Sequence, residues 1–336
     1  MTDTALTYLI VVVKLALILF ITLTLAAYMV LAERKILARM QSRYGPNRVG
    51  PFGLLQPLAD VIKLITKEDI LPAGADKALF LIAPGIVAAT VLLSFAVVPF
   101  GAPLVIAGRE VLMPVIDLNV GVLYFLALSS LGVYGVALAG WSSGSKYSLL
   151  GGIRGSAQMI SYELSMGLAI VPVVMLAGSL SLTDIVAAQA RIPFAVYSPL
   201  GFLIFLLSVA AEAKRIPFDL PEAENELVAG YHTEYSGMRF GLFFIGEYVN
   251  IIVLSALSVT FFLGGWHGPG PEWLSFFWFS AKSAVIAFVF VWVRATLPRL
   301  RYDQLMHFGW KVLVPLSLLN VLVTGFCALY FGWARP

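Results

Sequence analysis

Two glutamates, Glu163 and Glu247, stand inside long apolar stretches, and two more, Glu33 and Glu212, close such stretches. Carboxylates removed from water and set near one another cannot all ionise at low cost. Their pKa values are pushed apart and upward, the condition for holding and passing protons near neutral pH. A proton relay is the sharper reading of the four. The plainer reading pairs each boundary glutamate with a sequence neighbour, Glu33 with Arg34 and Glu212 with Lys214 or Arg215, so that they only tie helices together. Glu163 and Glu247 have no basic residue nearby in their own stretches, which favours the relay for them.

The stretches themselves must be membrane spans. Of the 336 residues 60% are hydrophobic and 12% charged, about half the charge of an ordinary soluble protein. That describes an all-α polytopic membrane protein, with residues 1–336 forming one integral membrane domain. Eight runs are long and apolar enough to cross: 5–32, 78–100, 118–140, 157–177, 193–211, 240–264, 276–293 and 312–333. The tryptophans (Trp141, Trp266, Trp273, Trp278, Trp292, Trp310, Trp333) fall near the ends of these runs, as an interfacial belt requires. Pro84 and Pro172 lie within spans and are read as packing features. Segment 101–116 is too short to cross and reads as an outer loop or re-entrant piece. The N-terminal run lacks the basic start and cleavage site of a signal peptide and is read as the first retained crossing.

Connections 33–77, 141–156, 212–239 and 294–311 hold seventeen of the 22 Lys/Arg. By the positive-inside rule they face the cytoplasm, and both termini lie on the opposite side. Glu163 and Glu247 then sit about 9 and 10 Å below the inner face, so all four carboxylates share the inner third of the membrane. Lys282, in the outer half of the seventh span, either snorkels or pairs and is left unassigned. The single cysteine, Cys327, and the three histidines, His232, His267 and His307, exclude a resident iron-sulfur cluster and argue against haem. If electrons pass, a partner holds them.

Two loops carry further chemistry. Between residues 212 and 234 six acids (Glu212, Asp219, Glu222, Glu224, Glu226, Glu234) face only Lys214 and Arg215. Pro217 and Pro221 stiffen the backbone around Phe218, Asp219 and Leu220, which favours a shaped loop feeding protons to the buried cluster over a solvated charge run. In the first loop Leu54, Leu55, Leu58, Val61, Ile62 and Ile65 occupy one helical arc and Gln56, Asp60, Lys63 and Lys67 the opposite one. This amphipathic helix follows a basic stretch. It either lies on the membrane surface or walls a cavity that admits a lipid-soluble substrate. Gly151, Gly152 and Gly155 follow no strand, so they read as a flexible segment and not a dinucleotide site.

Three long strings carry a resemblance: ERKILARMQSRYGPNRVGPFGLLQPLADVIKLITKE from Glu33, KRIPFDLPEAENELVAGYHTEYSGMRF from Lys214 and LPRLRYDQLMHFGWKVLVPL from Leu297. With GGIRGSAQMISYELS from Gly151, the chain resembles over essentially its whole length the quinone-site membrane subunit of respiratory complex I. This is the H-type subunit of proton-pumping NADH-quinone oxidoreductases. The resemblance implies a subunit without its own cofactor that completes a chamber where quinone, the substrate, meets electrons from an iron-sulfur cluster in a neighbour. FMN and the clusters belong to partner subunits. Implied partners are the hydrophilic-arm subunits carrying the terminal cluster and quinone headgroup site, adjacent small membrane subunits, and membrane lipids, with no nucleic acid. Implied chamber positions are Arg34, Arg43, Phe52, Asp60, Lys63, Arg215, Phe218, Asp219, Arg294 and Arg299. Glu33, Glu163, Glu212, Glu222, Glu224, Glu226, Glu234 and Glu247 match the family's acidic path for proton relay and coupling. No metal ligand set is implied. The expected location is a bacterial inner membrane or, on the same argument, a mitochondrial one.

Three other readings stand beside this one. The equivalent subunit of a membrane-bound hydrogenase-type complex would share the scaffold without quinone, although the long first loop favours quinone. A stand-alone proton-coupled transporter is disfavoured by the missing internal repeat, and a passive anchor would use the glutamates for assembly alone.

Overall fold

A bilayer offers the backbone no hydrogen bonds, so apolar runs that cross it must satisfy their own amides as helices. The computed structural model describes residues 3–106, 109–111, 113–222 and 224–332. It contains α1 (Asp3–Met40), α2 (Gln56–Thr66), α3 (Lys77–Ser94), the strands β1 (Leu104–Ile106) and β2 (Arg109–Val111), α4 (Gly121–Ser142), α5 (Lys146–Ala177), α6 (Leu182–Ala188), α7 (Phe194–Tyr197) and α8 (Pro199–Glu212). These are followed by α9 (Glu224–Leu227), α10 (Gly237–Phe262), α11 (Ser275–Thr296), α12 (Tyr302–Phe308) and α13 (Val314–Phe331). Among the described residues seven helical stretches are long and apolar enough to cross a membrane, α12 and α13 counting as one through a π-helical turn at Gly309–Leu313.

Of the eight expected crossings, the run 193–211 holds only a shorter apolar helix, α8, of 14 residues, about 21 Å long. The expected run 193–211 divides because Ser198, at φ −134° and ψ 68°, precedes Pro199, and a proline disfavours the helical region for the residue before it. Within segment 101–116, β1 and β2 pair antiparallel, with Leu104 opposite Val111 and Ile106 opposite Arg109, and the other described elements are helical. Of the tryptophans, Trp141, Trp273, Trp292 and Trp310 are exposed on the helix ends or just beside them. Trp333 lies outside the described residues.

The expectation of flexibility at Gly151, Gly152 and Gly155 is corrected, because α5 begins at Lys146 and all three glycines are buried within it. A Cβ at Gly140 on α4 would lie 2.6 Å from the Ser148 carbonyl oxygen and 2.8 Å from Gly152 Cα, and one at Gly151 would lie 2.5 Å from Tyr231 N. These glycines permit backbone contact between α4, α5 and the segment after α9, the usual way membrane helices approach closely. Gln158 fastens the same region, its amide nitrogen donating to the carbonyls of Ala211 (2.8 Å) and Phe218 (2.7 Å).

Helix α10 runs through the middle of the bundle with one face after another buried, whereas α1 lies at its edge. Lys282, unassigned from sequence, donates to the carbonyls of Leu263, Gly265 and His267 at 2.8, 3.2 and 2.6 Å. It therefore caps the C-terminal end of α10, where unpaired carbonyls favour a cation. The amphipathic α2 turns its apolar arc outward, with Leu58, Ile62 and Ile65 all exposed.

The close approach at Gly140 makes a prediction. Gly140→Ala should lower the thermal unfolding midpoint of the purified protein, at a cost of about 1–3 kcal/mol. Gly74→Ala should leave it unchanged, since a Cβ there meets nothing within 4 Å.

Candidate functional site

Consecutive residues at a helix end point in different directions, so neighbours in sequence seldom pair. Glu33 and Arg34 follow that rule and correct the plainer expectation. Arg34 leaves for Asp60 on α2 at 2.7 Å, where Gln56 also donates to the carboxylate at 3.0 Å. Glu33 turns inward and is held by Arg215 at 3.1 Å and by Arg294 from α11. Arg215, only 6% exposed, passes over Glu212 and takes Glu247 as its second partner at 2.9 Å, with its guanidinium 4.5 Å from the Tyr248 ring centroid. Burial works to lower the Arg215 pKa, but Glu247, Tyr248 and Glu33 outweigh it and hold it above its ordinary value. One guanidinium thus joins α1, α10 and the loop after α8.

Glu212 is held differently. Ser129 on α4 donates to one of its oxygens at 3.2 Å, and the other has no hydrogen-bond partner among the described residues. Next to it lies a cavity of about 40 Å³ bordered by Glu212, Lys214, Glu247, Ser129, Asn250 and Thr90, among others. At about 10–15 Å³ per water, that is room for roughly three. Glu163 is half-buried and off the cavity, and its carboxylate accepts from Ser130, the residue after Ser129. The two adjacent serines therefore hold the two carboxylates from a single turn of α4.

The acidic loop is shaped, as the prolines suggested. Phe218 is 3% exposed, and its ring packs 5.5 Å from that of Tyr162. Asp219 pairs with Arg299 at 2.7 Å, Glu226 pairs with Arg154 at 2.6 Å, and Leu300 N donates to the Pro217 carbonyl at 3.1 Å. Glu222 approaches His232 Nδ1 at 3.9 Å. Burial, then Glu247 and Asp219, push the Glu222 carboxyl well above the usual range against the pull of Arg215 and Lys214. Burial and then the nearby Lys214 lower His232 to about 4, so its imidazole is neutral at physiological pH. Glu234 is half-buried further along. Glu224 lies in α9, and its side chain is outside the described residues.

The remaining sequence candidates face outward. Phe52 is 80% exposed at φ 53°, and its carbonyl accepts from Lys35. Arg43 folds onto Gln41 at 2.8 Å and borders a surface groove of about 360 Å³ with Lys35, Arg39, Tyr44 and Phe52. Lys63 is exposed on α2. Arg34, Arg43, Phe52, Asp60 and Lys63 thus line an open face, while Arg215, Asp219 and Arg294 belong to the ion-paired cluster behind it. A larger apolar groove of about 490 Å³ lies between α1, α10 and α11 and ends at Ala32, the residue before Glu33.

Sequence reasoning missed Ser129, Ser130, Gln158 and Asn250, and took Lys214 only as a neighbour for Glu212. The available signal was polar side chains within or beside apolar runs, but only the charged ones were weighed.

Removal of Arg215 leaves the largely buried Glu247 without its ion-pair partner and Glu33 with Arg294 alone. Arg215→Met should cost about 3–5 kcal/mol, seen as a lowered unfolding midpoint. Adding Glu33→Gln and Glu247→Gln should restore most of the loss, and a triple variant no more stable than Arg215→Met would refute this assignment.

Residues 13–325 match the family model described as NADH dehydrogenase. The chain is 71% identical to an H-type subunit of NADH-quinone oxidoreductase from Geobacter metallireducens over 97% of its own length and 98% of the relative's. It is 68% identical to an H-type subunit from Geobacter sulfurreducens, covering 94% and 96%. It is also 63% identical to the H-type subunit from Syntrophotalea carbinolica, covering 99% and 100%. The oxidoreductase's other subunits are therefore its partners, and it is a bacterial membrane protein. With its helices, its polar inner loops and these relatives in agreement, the chain belongs to the family of H-type subunits of NADH-quinone oxidoreductase, respiratory complex I.

Proposed function

We propose that this chain contributes to the quinone chamber and couples quinone reduction to proton translocation through its buried carboxylates. The loops 33–77, 141–156, 212–239 and 294–311 face the cytoplasm, and both termini lie on the periplasmic side. The hydrophilic-arm subunits cover the face that carries Arg34, Arg43, Phe52, Asp60 and Lys63. Electrons come from the clusters of those partners, and reduction of quinone to quinol takes up two electrons and two protons. The apolar groove that ends beside Glu33 supports access from lipid for a hydrophobic tail.

The observation that carries the reading is an unbroken polar sequence from the inner surface into the span. Arg294 touches Glu33, which touches Arg215, which touches Glu247. Glu247 and Glu212 share the water-sized cavity, and the Ser129–Ser130 step leads on to Glu163. A change of charge in the chamber alters the proton affinity of each group in turn, because neighbouring charges shift one another's pKa. Adjacent membrane subunits convert that disturbance into pumping.

Glu247→Gln and Glu163→Gln each remove a proton-holding site while keeping the shape. Both variants should assemble and lose coupled quinone reduction by about tenfold or more, measured as proton uptake per quinone reduced in proteoliposomes. Full pumping in both would refute the relay. A photoreactive quinone analogue should label Phe52 or its neighbours in the assembled complex. Label confined to partner subunits would instead favour a scaffold of the hydrogenase type.

A further inference from the structure

Lys214 and Arg215 are consecutive bases at the inner end of α8, yet their surroundings differ. Arg215 is committed to Glu33 and Glu247. Lys214 is as deeply buried, at 8% exposure, and its backbone is held at φ 53°. That is a left-handed conformation that a lysine keeps only when its surroundings impose it. Its ammonium stands 5.0 Å from the centroid of the Tyr231 ring and borders the cavity shared by Glu212 and Glu247. Among the described residues it forms no direct ion pair, yet it lies within Coulombic reach of Glu212, Glu222 and Glu247.

A count of charges gives this placement its meaning. With the Asp219–Arg299 pair and Glu163, which lies off the cavity, set aside, the cluster holds four carboxylates, Glu33, Glu212, Glu222 and Glu247, and three cations, Arg215, Arg294 and Lys214. A neutral cluster therefore keeps one proton to be shared. Arg215 and Arg294 are tied to Glu33 and Glu247, so the location of that proton follows the one cation that is not tied. The residues facing Lys214 are Glu212 from α8, Glu222 and the Tyr231–His232 pair from the acidic loop, and Glu247 with Asn250 from α10. His232 is neutral and does not compete as a cation. A lysine suits such a place, being a compact charge on a flexible stem where arginine is a rigid fork.

We propose that Lys214 is a positioning residue of the acidic path, a shared counter-ion whose place in the cavity, nearer Glu212 or nearer Glu222 and Glu247, decides which carboxylate is ionised. The inference rests on the relay proposed above and adds the element that directs it. Burial lowers the Lys214 pKa more than the three carboxylates raise it, so the ammonium is held less firmly charged than a surface lysine.

The test compares Lys214→Gln and Lys214→Arg in the assembled complex, reading the pH profile of proton-coupled quinone reduction. Carboxylates that lose a nearby cation hold their protons to higher pH. The Gln profile should therefore move toward alkaline pH by about one unit, a tenfold change in proton concentration. The Arg variant retains the charge and should keep the wild-type position with a lower rate. A Gln profile superimposed on wild type, or Gln and Arg profiles displaced alike, would overturn the proposal. If Lys214→Gln fails to assemble, Lys214→His replaces it, because an imidazole carries charge only at acid pH. Its profile should match that of the Arg variant below about pH 6 and diverge above, and coincidence throughout would count against the proposal. The two readings fail separately. Full pumping in Glu247→Gln removes the relay, whereas lost pumping there with unmoved Lys214 profiles removes only the role of Lys214.

Discussion

A charge at the edge of a low-dielectric slab must find an opposite charge within hydrogen-bonding distance or be neutralised. In this protein that requirement converges on Arg215. Its guanidinium stands where α1, α10 and the loop after α8 meet, and Glu33 and Glu247 each approach it from a different helix. Arg294 brings in α11 by sharing Glu33. The arrangement stabilises the inner end of the bundle and also makes it electrically continuous. Arg294 is partly exposed, and three ion pairs, Arg294–Glu33, Glu33–Arg215 and Arg215–Glu247, connect it to Glu247.

The rest of the fold keeps this cluster in register. The glycine contacts between α4 and α5 set the separation across which Ser130 reaches Glu163. Gln158 ties the end of α8 to the acidic loop, and Arg299 holds that loop against the connection after α11. Lys282 secures the far end of α10, the helix that carries Glu247. Small residues, buried amides and one capped helix thus position groups that a loosely packed bundle would leave free to reorient.

The division between a closed acidic cluster and an open basic face explains why this chain works within a complex. Arg34, Arg43, Phe52 and Lys63 lie on an exposed surface that other subunits of the complex are free to cover. Glu33 and Glu212 need no such cover, being buried by the bundle itself, with a small polar cavity beside Glu212 and Glu247.

Much of this was legible in the amino-acid order. Composition alone determined the solvent, and with it the helical architecture, because lipid leaves a crossing backbone no alternative. Seventeen basic residues on alternate connections predict which loops share a side, and the apolar runs predict roughly how deep Glu163 and Glu247 lie. The choice of partners was decided only in three dimensions. Arg34 stands beside Glu33 in the chain and binds Asp60 instead, Arg215 passes over Glu212 to reach Glu247, and two of the three glycines that resembled a flexible segment, Gly151 and Gly152, proved to be points of backbone contact. Depth and sidedness follow from how many residues lie between two points on a chain. Pairing depends on how each helix is rotated and how closely it approaches its neighbours, and that is set by the whole packed bundle at once.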